Sequence, residues 1–296
     1  MSPTQRSEAE RIRAIGETTG LSRMLRRALE PGHDFQPLPK PGPHDWLANH
    51  PEPGQTFEEF LRLKPNKPDA VRNKIYLQPL EKFQPGEAPS LEKLEQFAEA
   101  FFAMEVEVLP IGSLDSSNIT SRANPHTGQT QLLTVDILAH LKLRLPDDAY
   151  CLLGITMRDL YPDPSWNFVF GEASLMDRVG VYSFARYDPR FYGEKALDAG
   201  KLVLRRSCKV LAHEMAHMFG IRHCVFFHCL MNGSNHLAES DARPLHLCPV
   251  DFRKLHDSVG FDIVDRYRRL KDFSEAVSFN DESKWLEKRI EHITAR

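Results

Sequence analysis

The most informative stretch of this sequence is His213-Glu214-Met215-Ala216-His217-Met218-Phe219-Gly220-Ile221-Arg222-His223. On an α-helix, His213 and His217 lie about 40° apart on one face, one turn above the other. Two imidazoles at this separation can converge on one zinc ion. Apolar residues step by three and four along the opposite face, namely Leu204, Cys208, Leu211, Met215 and Met218. The pattern predicts a helix with one face in the core and the other at a metal-binding cleft.

The remaining positions of the stretch suit a catalytic metal. Glu214 lies about 100° around the helix from His213, where it could accept a proton from a zinc-bound water and return it to a leaving amine. Gly220 follows the apolar face, and a left-handed cap needs no Cβ there. Such a cap would end the helix and turn the chain so that His223 returns as a third ligand. Three protein ligands leave the fourth zinc position open for water, which is typical of catalytic sites.

Composition narrows the class of protein. The 296 residues are 41% hydrophobic and 27% charged, which is ordinary for a globular protein of one large or two smaller domains. A net charge of -3 gives no bias toward nucleic acid or anionic membranes, so neither is expected as a partner. The chain has no apolar run of about 18 residues, and its first residues, MSPTQRSEAERIRAIG, lack a secretory apolar segment. We therefore expect an intracellular protein, cytoplasmic and/or nuclear.

Hydrophobic periodicity predicts an α/β fold, with a mixed α+β sheet and helices packed on it. The expected strands are Lys74–Leu80, Val106–Leu109, Tyr150–Thr156, Phe168–Phe170 and Val179–Phe184. The expected helices are Ser90–Met104, Thr134–Leu143, 201–219, Val250–Asp257, Val264–Lys271 and Lys284–Thr294. Residues 1–70 are predicted to be a helical and proline-rich extension, 71–275 a catalytic domain with a loop-rich, helical C-terminal part, and 276–296 a C-terminal helix.

Within the extension, the piece SRMLRRALE is expected to be a solvated terminal helix, and residues 31–55 contain seven prolines. This proline-rich stretch predicts an extended surface connector, with Trp46 and Leu47 as its contacts to the body.

Three of the five cysteines follow the histidines closely, at Cys224, Cys229 and Cys248. Without a secretory segment, this clustering favours metal binding over disulfides. Cys151 and Cys208 lie in apolar patterns and are expected to be core residues.

The stretch from His213 to about Leu255 resembles the archaemetzincins (archaelysins), a branch of the metzincin zinc peptidases. The resemblance implies a metzincin-like fold, a catalytic zinc on His213, His217 and His223, and Glu214 as the general base. It also implies a second, structural zinc held by four thiolates. The sequence matches three of them in Cys224, Cys229 and Cys248, while Asp251 occupies the fourth position.

Several alternatives stay open at the second site. A carboxylate can bind zinc, but replacing a soft thiolate by a hard oxygen should lower the affinity. The vacancy could also be filled by His228, His246 or His256, or the site could be empty, with the cysteines merely buried. Met231 matches the family's Met-turn beneath the catalytic histidines. On residue type alone, a methionine before the turn dipeptide Asn232-Gly233 is more often a plain core residue, and only its place after the histidine motif favours the Met-turn.

The resemblance implies hydrolysis of peptide bonds in peptide or protein substrates, with an aminopeptidase-like preference. The segment Gly180–Tyr187 resembles the edge strand that binds peptide in metzincins, and an internal strand without substrate contact is the alternative. Two other functions stay open: a zinc-stabilised binding module whose peptidase activity is weak or lost, and hydrolysis of another amide or an ester.

Overall fold

The computed structural model describes residues 5–84, 86, 88–114, 119–194 and 198–295 and divides them into two compact units. Unit one comprises the described residues of 1–66, 100–103 and 220–296, and unit two comprises those of 67–99 and 104–219. The first four residues of the expected N-terminal helical region lie outside the described part. The division into 1–70, 71–275 and 276–296 stays a prediction.

The helices are α1 (Glu8–Ile15), α2 (Arg23–Leu29), α3 (Trp46–Asn49), α4 (Phe57–Arg62), α5 (Leu91–Phe102), α6 (Thr134–Lys142), α7 (Ala199–Met218), α8 (Leu237–Ala242), α9 (Pro249–Val259), α10 (Ile263–Ala276) and α11 (Asn280–Thr294). The strands are β1 (Lys74–Pro79), β2 (Glu105–Val108), β3 (Ser121–Ala123), β4 (Thr130–Leu133), β5 (Ala149–Thr156), β6 (Asp159–Tyr161), β7 (Gly171–Ala173) and β8 (Val179–Ser183). Short 3₁₀ turns cover Ala185–Tyr187 and Pro189–Tyr192.

Unit two contains a five-stranded sheet in the order β2-β1-β5-β8-β7. Its pairs are parallel except for β7, which runs antiparallel to β8. Every residue of β5 is buried, as its continuous apolar run predicts for a central strand. The mixed sheet with packed helices confirms the expected fold class. A second sheet, β3-β4-β6, was not predicted, because strands of three or four residues give too short a pattern.

One predicted strand is misplaced. Val169 makes only an isolated bridge with Leu160, and the regular strand β7 begins at Gly171, just beyond the predicted Phe168–Phe170.

One apolar core cluster of unit two lies between this sheet and α6. Its buried members come from β1, α6, β5, β6 and β8, and include Tyr76, Ile137, Leu141, Leu152 and Val181. Gly154 of β5 lies under α6, where an added Cβ would be 2.9 Å from Leu141 Cδ1. The glycine therefore lets the helix approach the sheet closely.

Helix α7 is the 20-residue helix predicted from the histidine stretch. The predicted apolar stripe is buried, with Leu204 6% exposed and Cys208, Leu211, Met215 and Met218 fully buried. The Tyr150 hydroxyl donates a hydrogen bond to the Met218 carbonyl oxygen over 3.1 Å, which satisfies one acceptor that the helix end leaves open. Gly220 adopts a left-handed conformation with φ +78°, which confirms the predicted turn after the helix.

Unit one joins the N-terminal helices to the C-terminal ones, and α2 contacts α9, α10 and α11. Leu25, Ala28 and Leu29 of α2 are buried, so the expectation of a solvated terminal helix was wrong. The guanidinium of Arg289 is buried here, donating to Asp34 Oδ2 over 2.9 Å and to the carbonyls of Arg27 and Ala28. Among the described residues, no helix is long and apolar enough to cross a membrane.

Candidate active site

The first two histidines of the motif converge on one side of α7, where His213 is buried and His217 is partly buried. Their Nε2 atoms lie 3.1 Å apart, and the rings are almost perpendicular with centroids 4.6 Å apart. Two Nε2 atoms at this separation can both reach an ion at the usual zinc–nitrogen distance of about 2.0–2.1 Å. The i, i+4 spacing on the helix thus places two imidazole nitrogens where they could bind one ion.

Glu214 lies on the same helix and is only 6% exposed. Its carboxylate packs against Gly171, the first residue of β7. A Cβ added to Gly171 would be 2.9 Å from Glu214 Cγ, Cδ and Oε1. Because real Cβ atoms essentially never approach other atoms so closely, only glycine permits this position of the carboxylate. The sequence analysis did not identify Gly171 as a site residue. A single glycine in a loop-like stretch gives no pattern from which such a role could be predicted.

The variant Gly171→Ala is expected to lower kcat/KM for peptide hydrolysis by up to about 100-fold, because displacing a catalytic group by about 1 Å has effects of that size. The control is Gly200→Ala, since a Cβ at Gly200 of α7 meets no atom within 4 Å. Both variants should bind as much zinc as the wild type. Equal kcat/KM for Gly171→Ala and wild type would show that the carboxylate position is not critical.

The segment that resembles the edge strand of metzincins lies inside the sheet. Residues 180–183 of the segment Gly180–Tyr187 belong to β8, which lies between β5 and β7, and the segment ends in a 3₁₀ turn. The segment is therefore an internal strand, and its lack of contact with substrate stays a prediction. Within the described part of the chain, β7 is the last strand on that side of the sheet, and its first residue contacts Glu214.

The third histidine belongs to unit one. His223 follows Met218 by five residues, is partly buried, and lies in the loop after Gly220. Its Nδ1 is 2.9 Å from Glu52 Oε1, and its ring is 5.2 Å from that of Trp46. Unit two therefore brings together His213, Glu214 and His217, while unit one carries His223.

The cysteine cluster lies entirely in unit one and is completed by Asp251. The ligand atoms of Cys224, Cys229, Cys248 and Asp251 all lie within 4.8 Å of one another, and the four residues are buried. Cys224 Sγ is 3.5 Å from Cys248 Sγ, and Asp251 Oδ2 is 3.3 Å from Cys229 Sγ and 3.5 Å from Cys248 Sγ. This group includes none of His228, His246 and His256, so the carboxylate occupies the fourth position.

A buried lysine holds the other oxygen of Asp251. Lys254 Nζ donates to Asp251 Oδ1 over 2.8 Å, and the side chains of Lys254 and Asp251 are 1% and 0% exposed. This contact leaves Oδ2 directed at the sulfur atoms. Burial and the nearby Cys224 raise the pKa of Asp251 to about 7 despite Lys254. A divalent cation among three thiolates would stabilise the charged carboxylate, so the donor set fits a zinc ion.

Backbone contacts shape the loop around this cluster. Cys229 Sγ accepts hydrogen bonds from the backbone N–H of Cys248 over 3.1 Å and of Met231 over 3.5 Å. Asn232 Nδ2 donates to the carbonyls of Cys224 and Phe227, and its Oδ1 accepts from Cys229 N–H. The asparagine of the predicted Asn-Gly turn thus also stabilises the loop that carries the cysteines. Met231 itself is fully buried, which both interpretations of this residue allow.

A further group, Asp45, His236 and Glu239, has ligand atoms that also lie within 4.8 Å of one another. Its polar atoms already bond protein groups. His236 Nε2 is 3.1 Å from Asp45 Oδ1, Glu239 N–H donates to His236 Nδ1, and the Glu239 carboxylate accepts from the backbone of Trp46 and Asn235. These contacts cap α3 and α8, and we assign no metal to them.

Comparisons with known proteins agree with this arrangement. A sequence profile described as peptidase family M54 matches residues 115–257. Archaemetzincin-2 of Mus musculus is 39% identical over 302 residues, covering 92% of this chain and 84% of its own. Archaemetzincin-2 of Homo sapiens is 39% identical over 297 residues, covering 90% and 81%.

Two crystal structures are similar in fold and moderately similar in sequence. One is an archaemetzincin from Methanopyrus kandleri, with a TM-score of 0.50 and 26% identity, covering 66% of this chain and 99% of its own. The other is described as a zinc-dependent peptidase from Methanocorpusculum labreanum, with a TM-score of 0.50 and 26% identity, covering 61% and 99%.

Proposed function

The chain belongs to peptidase family M54, the archaemetzincins, and from this membership we propose that it hydrolyses peptide bonds in a zinc-dependent reaction with Glu214 as the general base. His213, His217 and His223 are the proposed zinc ligands. The observation that carries the proposal is the convergence of two Nε2 atoms at 3.1 Å beside a buried glutamate on the same helix. A purely structural site has no need of such a carboxylate.

In this proposal, His213, His217 and His223 would hold a zinc ion, which would supply Lewis acidity that activates water and the scissile carbonyl. The chain's own residues perform the proton transfers. Glu214 accepts the proton of the attacking water and then donates it to the leaving amine. Gly171 leaves the space that this carboxylate occupies, and the buried back face of α7 holds the histidines in place.

The substrates we propose are peptides or proteins bound in extended form along β7. An extended peptide can add a strand to the side of a sheet through main-chain hydrogen bonds. Because β7 begins at Gly171, a peptide paired with it would lie next to Glu214. We extend the proposal to the aminopeptidase-like preference that the resemblance implies. Matched peptides with free and acetylated N-termini test it, since only the free form should be shortened from that end.

We further propose that Cys224, Cys229, Cys248 and Asp251 hold a second zinc ion with a structural role. Four protein ligands close the coordination sphere, which is typical of structural zinc. The five cysteines are free in the structure, which suits the reducing interior of a cell.

Removal of zinc tests the function directly. Dialysis against a strong chelator should abolish peptide hydrolysis, and added zinc should restore it, because zinc is the electrophile in the proposed reaction. His217→Ala should lose about one zinc per chain and all turnover, whereas Cys229→Ala should lose the other zinc. Full zinc content without turnover on any peptide, amide or ester would instead favour the binding module.

A further inference from the structure

The proline-rich segment between α3 and α4 contacts the loop that carries His223, and we propose that Glu52 in this segment is a positioning residue for that histidine. The inference rests on the proposed function, since it takes His223 as a zinc ligand. All the residues involved belong to unit one. Neither the segment nor Glu52 lies within residues 115–257, which the family profile matches.

The central contact joins Glu52 Oε1 and His223 Nδ1 over 2.9 Å. A carboxylate oxygen accepts, so Nδ1 carries the proton and Nε2 keeps the lone pair that a metal needs. Histidines that bind metals commonly donate their other N–H to a carboxylate, which fixes the ring and raises its basicity. The two side chains are 28% and 19% exposed, so water screens the contact only in part.

Trp46 also forms a hydrogen bond to the Glu52 carboxylate. Its indole Nε1 donates to Glu52 Oε1 over 2.9 Å, and its ring is edge-on to the His223 ring at 5.2 Å. The indole lies directly over Gly233, where a Cβ would be 2.3 Å from Trp46 Cδ1. The backbone N–H of Trp46 is held by Glu239. The carboxylate oxygen that meets His223 is therefore fixed by a side chain that is itself tightly packed.

The backbone around Glu52 is stiff. Pro51 and Pro53 have fixed φ angles, and the residue before a proline is restricted to extended conformations. Gly54 adopts φ +82°, and a Cβ there would be 2.4 Å from Val225 Cγ2. The segment Pro51–Gly54 thus presents the carboxylate with little freedom and packs closely on the loop beyond His223.

Gln55 binds the backbone of the loop just before His223. Its Nε2 donates to the Gly220 carbonyl over 3.1 Å, and its Oε1 accepts from the Arg222 N–H over 3.1 Å. Gln55 is 2% exposed, so these bonds are shielded from water. Gln55 therefore binds the backbone before His223, and Glu52, three residues earlier in the segment, binds the ring of His223 itself.

The test compares Glu52→Ala and Glu52→Gln with wild type in the full chain. Zinc affinity of the histidine site is measured by competition with a chelator, with His217→Ala identifying which bound zinc belongs to that site. Glu52→Ala should weaken this zinc by about 10-fold to 100-fold, which is usual when a ligand loses its carboxylate partner. The zinc affinity of Glu52→Gln should fall less, because the amide oxygen of glutamine can still accept a hydrogen bond from His223 Nδ1. Zinc at the cysteine cluster should be unaffected.

A matched control is Glu30→Ala, because Glu30 Oε2 is also 2.9 Å from a histidine nitrogen, in His292, but at an exposed site. It should leave zinc affinity unchanged. Wild-type affinity in both Glu52 variants would overturn the inference and leave the proposed function standing, provided that His217→Ala loses its zinc. Retention of that zinc in His217→Ala would overturn both the inference about Glu52 and the proposed function. If Glu52→Ala does not fold, as judged by thermal melting, Glu52→Gln alone decides.

Discussion

Peptide hydrolysis by the Glu214→Gln variant is expected to fall by about 10²-fold to 10⁴-fold, the usual range for loss of general acid–base catalysis. Glutamine has nearly the same shape but cannot accept the proton of the attacking water. The carboxylate is not among the proposed zinc ligands, so zinc content should stay at the wild-type level. The measurement is kcat/KM on a panel of fluorogenic peptides, together with metal analysis of each preparation.

Glu282→Gln provides the matched control, because Glu282 is also a buried helical glutamate, 5% exposed against 6% for Glu214. It pairs with His246 over 3.0 Å and has no part in the proposed reaction. Its kcat/KM should equal that of wild type. Undiminished hydrolysis by zinc-replete Glu214→Gln would refute the role of Glu214 as general base.

Asp251→Ala is expected to release the second zinc and to lower the free energy of unfolding by about 3–5 kcal/mol. Lys254 would remain buried without its carboxylate partner, and breaking a buried ion pair by removing one member has effects of this size. Loss of metal stabilisation adds to the effect. Denaturant unfolding, followed with and without a chelator, measures both contributions. Asp251→Cys should retain zinc, which would separate the loss of a ligand from the loss of the ion pair.

Two further variants isolate the buried charge. Asp251→Ala combined with Lys254→Met should recover part of the lost stability, because the unpaired ammonium is removed. Asp69→Ala is the surface control, since Asp69 and Arg72 form an exposed pair with the same i, i+3 spacing. It should change stability by about 0–1 kcal/mol. Wild-type zinc content and stability in Asp251→Ala would contradict the assignment of Asp251 as a ligand.

Regular periodicity made much of the fold predictable. The helix that carries His213 and His217 has an apolar stripe long enough to be unmistakable, and β5 has a continuous apolar run typical of a central strand. The interior place of β8 was left open, because the segment Gly180–Tyr187 resembles an edge strand although its residues are buried. Gly171–Ala173, by contrast, is short and partly polar, as terminal strands of a sheet often are, and it carries no clear periodic signal.

The supporting residues were harder to predict, because their roles depend on contacts distant in sequence. Glu52 lies 171 positions from His223, and nothing in a proline-rich stretch distinguishes it from a solvated acid. Lys254 is three residues from Asp251, yet i, i+3 pairs of opposite charge are common on exposed helix faces. Only burial shows that this pair is an internal one.

The discontinuity of unit one has a consequence for the order in which the protein matures. Chains emerge from the ribosome at about 5–20 residues per second, and domains generally fold as units. Unit two is complete once residue 219 has emerged, whereas residues 1–66 find their partners in unit one only after residues 220–296 follow. We expect the Glu52 contact to His223 to form when unit one folds, after residue 223 has emerged. We expect hydrolysis to begin only after unit one has folded, because this unit carries His223.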